Sequence, residues 1–206
     1  MPKKESPLQS LSTFLPNGSF EEVAAYLQTY KVHLTVTKER KNILGNYRNK
    51  IYDKNHRISI NGNLNKFSFL ITLLHELAHL LTHEKYGHRI QPHGSEWKQE
   101  YGKILLQFIS KKIFPTEIEK ILLQELSNPA ASTCAEPNLT RALRQFDLKK
   151  VGYYLIEELP TGSFFKIRSG AVFKKGDRMR KRFKCEEVST KKLYLFSPVY
   201  EVEKVI

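Results

Sequence analysis

Between residues 67 and 87 the chain reads FSFLITLLHELAHLLTHEKYG, a run that is apolar on every side but one. Wound as a helix at about 100° per residue with His75 at zero, it places Thr82 near −20°, His79 near 40°, Thr72 near 60°, His83 near 80° and Glu76 near 100°. The polar side chains from Phe69 to His83 therefore share an arc of about 120°. Leu70, Ile71, Leu73, Leu74, Leu77, Ala78, Leu80 and Leu81 cover the remaining sides. A surface helix devotes its polar face to Lys, Glu and Gln, so a narrow His/Glu/Thr stripe predicts a buried helix. Burying such groups unsatisfied costs about 1 to 3 kcal/mol each, so the stripe must face a hydrogen-bond network, water or a metal.

The same reading places elements on either side. Ser19 followed by Glu22 has the spacing of a capping box and predicts a helix over 20–30. Alternation of Val32, Leu34 and Val36, and of Ile58 and Ile60, predicts strands, with NILGNYR and its Gly-Asn turn signal between them. Two or three strands of a small antiparallel sheet are expected. After a loop, Ser95 is a candidate cap for a helix whose Trp97, Tyr101, Ile104, Leu105 and Phe108 fall on one face, and Pro115 stops it. Thr116 and Glu119 repeat the capping spacing ahead of another short helix.

From 129 to 147 the prolines and small residues read as a linker. Beyond it the segments are short, aromatic and β-branched with Gly-containing turns between them, which predicts an all-β appendage of four or five strands. The fold class expected is α+β, with a domain over 1–128, the linker over 129–147 and a β module over 148–206.

Composition narrows the setting. Two cysteines, Cys134 and Cys185, in no CxxC arrangement argue for a reducing compartment, by default the cytoplasm. The amino terminus shows no secretory pattern, and ionisable groups at the centre of the 67–81 run speak against a membrane span. A net charge of +13 describes a chain that a polyanion attracts. Its densest part is 166–184, with nine Lys and Arg against Asp177, or +8. Lys174, Lys175, Arg178, Arg180, Lys181, Arg182 and Lys184, with Phe173 and Phe183 interleaved, are the candidate nucleic-acid contacts, for DNA in single- or double-stranded form. Nucleic-acid binding is the preferred reading, although solvated strand faces and edge-strand lysines produce similar runs.

The order His75-Glu76-Leu77-Ala78-His79 selects among the uses of the stripe. Histidines at i and i+4 point the same way, so both imidazoles can reach a single Zn²⁺ at about 2.0 to 2.1 Å. Glu76, a step around the helix, is placed to act as general base toward water activated at the ion. A catalytic zinc needs a third protein ligand, and His83, His88, His93, Glu96 and Glu100 are the candidates. His83 lies one further turn along the axis and suits a supporting polar role. His88 follows a helix-ending glycine and suits solvent. His93, in QPHGSEW, sits where the loop can fold back to the start of the next helix.

The pairing of LLHELAHLL with HGSEWKQEYGKIL resembles the SprT-like family of zinc metallopeptidases, which includes the Spartan proteases of DNA–protein crosslinks. The resemblance covers roughly 19–114. It implies a zincin-like domain with His75, His79 and His93 as ligands of one catalytic Zn²⁺, Glu76 as general base and acid, and a protein or peptide substrate. Glu96 matches the family pattern in a supporting role, and Glu96 or Glu100 as third ligand is the alternative. Family members often end in a zinc ribbon, whereas LPTG at 159–162 and CEEV at 185–188 retain one cysteine of four. That implies a ribbon-like module without its metal, held by Tyr153, Tyr154, Phe164, Phe165 and Phe173, or an unrelated appendage. The functional expectation is a zinc peptidase acting on proteins bound or crosslinked to DNA. The rivals are a nucleic-acid-binding scaffold with a structural histidine or metal site, and a zinc peptidase with no DNA role. Oligomeric state is not legible.

Overall fold

The computed structural model describes residues 7–40, 42–50, 54–126, 136–148 and 150–205. Cys134 and most of the expected linker lie outside these residues. The apolar run forms helix α2, Lys66–Tyr86. Asn65 caps it by accepting from the Ser68 amide, and Gly87 stops it with φ of 79°, a left-handed backbone value that glycine adopts without steric cost. Thirteen of its residues are buried, so the element is a core helix rather than a surface one. The described residues contain no helix long and apolar enough to cross a membrane.

Among the described residues of the first of two compact units, Met1–Asp147, four further α-helices, a 3-10 helix over Leu8–Phe14 and a sheet surround α2. Helix α1, Phe20–Thr29, buries Val23, Ala24 and Leu27. Helix α3, Ser95–Ser110, sets Trp97, Tyr101, Ile104, Leu105 and Phe108 into the same core, and α4, Thr116–Glu125, adds Ile118 and Leu122. The capping boxes do not form. Ser19 Oγ donates to Pro16 O, and Glu22 reaches Gln107 on α3 and Lys111 just past its end instead, because a tertiary charge partner outcompetes a local amide. Gly94 rather than Ser95 is the N-cap of α3, and Pro115 that of α4.

The sheet corrects the antiparallel expectation. Strands β1, His33–Thr37, and β3, Arg57–Asn61, pair in parallel, and β2, Gly45–Arg48, pairs antiparallel to β3 at the edge, giving the order β1-β3-β2. Gly45-Asn46 is strand, not turn. Alternation fixes the register, since Leu34, Ile58, Ile60 and Tyr47 all face the α2 side as paired and would not if shifted by a residue.

The expected linker is corrected too. Residues 137–144 form helix α5, Pro137–Arg144, which starts on Glu136 and buries Leu139, Ala142 and Leu143 in the core of the first unit. Proline there stands at the first turn, where its missing N–H costs nothing.

The second unit, Leu148–Ile206, is a six-stranded antiparallel sheet, one strand or two more than predicted. Its strands β4 (Tyr153–Leu155), β5 (Phe164–Lys166), β6 (Val172–Met179), β7 (Arg182–Glu187), β8 (Leu193–Phe196) and β9 (Glu201–Lys204) lie in the order β4-β9-β5-β6-β7-β8, so the last strand inserts between the first two. The core is Ile156, Leu159, Phe165, Phe173, Phe183, Cys185 and Val202. Tyr154 and Phe164, expected inside, are exposed because alternation turns them to the other face. The Cys185 thiol is buried among apolar side chains, which pushes its pKa up and keeps it protonated.

Candidate metal centre

Successive turns of α2 carry His75 and His79 to one side, and the loop between α2 and α3 returns His93 to them. His93 Nε2 lies 3.1 Å from His75 Nε2 and 3.0 Å from His79 Nε2. Among the described residues this is the one group of three or more His, Cys, Asp or Glu able to share an ion. The loop turns where the Gly94 amide bonds Gln91 O, leaving His93 itself at φ of 58°. A non-glycine residue in that region is held there at a cost of about 1 to 3 kcal/mol.

The donor set fits a tetrahedral cation. A ring nitrogen carries either one hydrogen or one lone pair, so His93 Nε2 cannot make good hydrogen bonds to two other imidazoles at once. Three lone pairs converging on an ion resolve the conflict, and edges near 3 Å are close to the roughly 3.3 Å separating ligands held at Zn–N distances of about 2.0 to 2.1 Å. The rings are in the state such binding needs. Burial, then the neighbouring imidazoles, lowers His75 to about 3, burial and His93 lower His79 to about 4, and burial lowers His93. All three are neutral at ordinary pH.

Trp97 forms the floor. It is buried, with ring centroids 4.7 Å from both His75 and His93 and 5.4 Å from His79, and it stacks on Tyr101. This fixes all three imidazoles against one indole, whose N–H has no acceptor among the described residues. Sequence reasoning counts Trp97 as core only, although its position four residues after His93 at the start of a helix is the available signal.

Glu76 stands beside the cluster. Its carboxylate is buried and accepts from the Tyr47 amide, and burial pushes it up to about 7 against the opposing pull of the Arg40 guanidinium and that amide. Gly45 passes so close that a Cβ there would lie 2.6 Å from Glu76 Oε1. Arg40 holds this stretch of chain to β3, donating to Asn61 Oδ1, Ser59 Oγ, Ser59 O and Leu44 O. The resulting cleft has a volume of about 510 Å³ and is lined by residues 42–47 along one side, and by His75, Glu76, His79, Pro92 and His93.

A second polar chain leaves the cleft wall through Tyr47, whose ring lies parallel to that of His79. Its hydroxyl is 2.9 Å from His56 Nδ1, His56 Nε2 is 3.2 Å from Glu84 Oε1, and Lys50 Nζ is 2.9 Å from the same oxygen. Lys50 keeps the Glu84 carboxylate below its usual range, so Glu84 accepts from Nε2–H and Nδ1 accepts from Tyr47. His56 is buried and was not a candidate from sequence, because a single histidine ahead of a strand carries no spacing signal.

The other predicted residues separate clearly. His83 packs against His56 and Tyr47 in the supporting position expected of it, and His88 is exposed. Glu100 is held by Lys85 and Lys103 and Glu96 accepts from Ser95, so neither joins the histidines. In the second unit Lys174, Arg178, Arg180, Lys181, Arg182 and Lys184 are exposed. Lys175 is a correction. It is buried, donates to Leu159 O and lies 4.1 Å from the centre of the Phe183 ring, so it does not reach a polyanion.

The sequence model of the SprT-like family matches residues 14–117, just over half of the chain. The chain is similar to Protein SprT of Pseudomonas fluorescens (strain SBW25), 59% identical over 27 residues, which are 13% of this chain and 16% of that protein. It is similar to Protein SprT of Vibrio atlanticus (strain LGP32), 57% identical over 30 residues, 15% of this chain and 18% of that one. The chain thus spans less than a fifth of the length of these curated relatives. No solved structure matches it.

Proposed function

The chain belongs to the SprT-like family, and on that premise we propose that it is a zinc-dependent metallopeptidase acting on proteins bound or crosslinked to DNA, in the reducing setting of the cytoplasm. The observation that carries the reading is the convergence of His75, His79 and His93 beside a buried Glu76 in one open cleft. The three imidazoles would hold the ion, and a bound zinc supplies Lewis acidity to the scissile carbonyl and to water. Glu76 takes the proton of the attacking water and returns it to the leaving amine nitrogen, work for which a carboxylate anchored by the Tyr47 amide is already oriented. Strand β2 is a sheet edge along the cleft, so an extended peptide can add to it through main-chain hydrogen bonds. The exposed basic hairpin of the second unit supplies affinity for phosphates.

Metal analysis and cleavage of an unfolded protein substrate test this together. About one zinc per chain, with cleavage lost in Glu76→Gln while zinc is retained, is the expected result. Undiminished cleavage by Glu76→Gln removes the mechanism. Bound metal with no cleavage under any condition returns the protein to the binding-scaffold reading.

A further inference from the structure

Strand β2 carries the amide on which Glu76 is oriented, yet among the described residues it is an edge strand of four residues, paired with β3 alone. A short edge strand opens readily unless side chains tie it down. Two ties are present. Arg40 fixes the end near Leu44 to Ser59 and Asn61 of β3. The other end is tied to α2 through His56, because the Tyr47 hydroxyl lies 2.9 Å from His56 Nδ1 and His56 Nε2 lies 3.2 Å from Oε1 of Glu84, in the last turn of α2. Tyr47 therefore meets one helix at two levels. Its amide bonds Glu76, and its hydroxyl reaches through His56 to a carboxylate about two turns further along. Between them its ring lies parallel to that of His79, with centroids 6.4 Å apart.

The bridge asks for a side chain that accepts from a phenol at one end and donates to a carboxylate at the other. A neutral imidazole does both. Burial holds His56 below its ordinary pKa against the pull of Glu84, which keeps the ring neutral, and Lys50 at 2.9 Å keeps Glu84 ionised to receive its N–H. At 2% exposure His56 has no room for water to take over either bond. It does not line the cleft, so it reaches neither substrate nor metal.

We infer that His56 is a positioning residue, holding Tyr47 so that the Glu76 carboxylate and the His79 ring keep their places. The inference rests on the peptidase reading, and it assigns a part in that reaction to a side chain outside the cleft. The test uses the zinc-supplemented full chain, with hydrogen exchange of the Tyr47 amide followed by NMR beside kcat/KM on an unfolded protein substrate. His56→Leu is expected to keep about one zinc per chain while kcat/KM falls about ten- to a hundredfold. The Tyr47 amide then exchanges about five- to tenfold faster, as the loss of one hydrogen bond's local stability requires. Tyr47→Phe, which deletes only the hydroxyl and carries the same test should His56→Leu fold poorly, reproduces both changes. The double variant stays within about twofold of either single one, since both remove the same bond. His56→Gln, whose amide accepts through oxygen and donates through nitrogen, restores most of the rate and the protection. Parental turnover and protection in His56→Leu or Tyr47→Phe, additive losses in the double variant, or no recovery with glutamine overturns the inference. A parent that binds zinc and cleaves nothing sinks the peptidase reading instead, and the exchange measurement still decides whether His56 holds Tyr47.

Discussion

Replacing Gly45 by alanine probes the contact between the sheet and the proposed general base with a single methyl group. A Cβ at Gly45 would sit 2.6 Å from Glu76 Oε1, 2.7 Å from Thr72 Cγ2 and 2.9 Å from Glu76 Cγ. Ordinary contact begins at 3.4 Å, so the gap must open by about 0.8 Å at its tightest point. Helix α2 is locked in the core and cannot supply that movement, whereas β2 is bonded to the sheet on one side only. The strand therefore retreats or the carboxylate swings away, and either breaks the Tyr47 amide contact that orients Glu76. Overpacking of this kind costs about 1 to 3 kcal/mol of stability. A misplacement near 1 Å costs up to about a hundredfold in rate. Because Gly45 has no positive φ, alanine introduces no backbone strain and the effect is steric. The three atoms nearest that Cβ belong to Glu76 and Thr72 and none to a histidine, so zinc content is expected to stay at the parental level while kcat/KM on a peptide substrate falls about ten- to a hundredfold. A Gly45→Ala protein with parental turnover and melting temperature would refute the reasoning, since the geometry leaves no free room for the methyl group.

His93→Ala is expected to lower zinc content well below that of the parent at equal free zinc, whereas Glu100→Gln leaves it unchanged; the reverse outcome assigns the third ligand wrongly. Leu139→Ala, in a helix that packs into the first unit, is expected to cost about 2 to 4 kcal/mol in denaturant unfolding, and a loss below about 0.5 kcal/mol would return 137–144 to linker status. Burial, then the Glu136 carboxylate, raises Glu125 from 4.5 to about 7, so between those values the folded state binds the extra proton and this group's contribution to stability falls as pH rises through that window. Glu125→Gln is therefore expected to stabilise by on the order of 1 kcal/mol at pH near 8, a figure reduced for partial solvent exposure, and to give no gain near pH 4; equal gains at both pH values would rule out the titration as cause.

Much of the first unit is legible because its core is periodic. The 3.6-residue repeat of α2 and the single apolar face of α3 each imply their own burial; α2 stands within a residue of where the pattern puts it, whereas α3 stops at Ser110, short of the expected stop at Pro115. The misses share a cause: each depends on partners distant in sequence. Whether β1 runs parallel or antiparallel to β3 is decided by where β2 and the following helix go, not by the alternation of Leu34 and Val36. Helix α5 hides because Leu139, Ala142 and Leu143 look sparse among polar neighbours, and they become a stripe only once a core is there to receive them. Lys175 is the same lesson reversed. A lysine in a basic run reads as surface, but strand parity at Phe173, Lys175, Phe183 and Cys185 turns it inward, and a carbonyl and an aromatic face accept its charge.

The polar stripe of α2 shows why the site was more legible than its surroundings. Thr72 and Thr82 on that stripe satisfy themselves by donating to Ser68 O and Ala78 O one turn back, so neither needs a partner outside the helix. His75, His79 and Glu76 have no such local solution, because an imidazole or a carboxylate reaches past its own turn. Their demand for partners is thus visible from sequence, but the identity of those partners is not. His93 comes from a strained loop, Trp97 from the next helix, and the Tyr47 amide and Gly45 from an edge strand some thirty residues earlier. A motif therefore announces that a site must exist, whereas the groups that orient it belong to the tertiary fold. Gly45 is the sharpest case, since a residue with no side chain gives no chemical signal and acts here only through the space it leaves for Glu76.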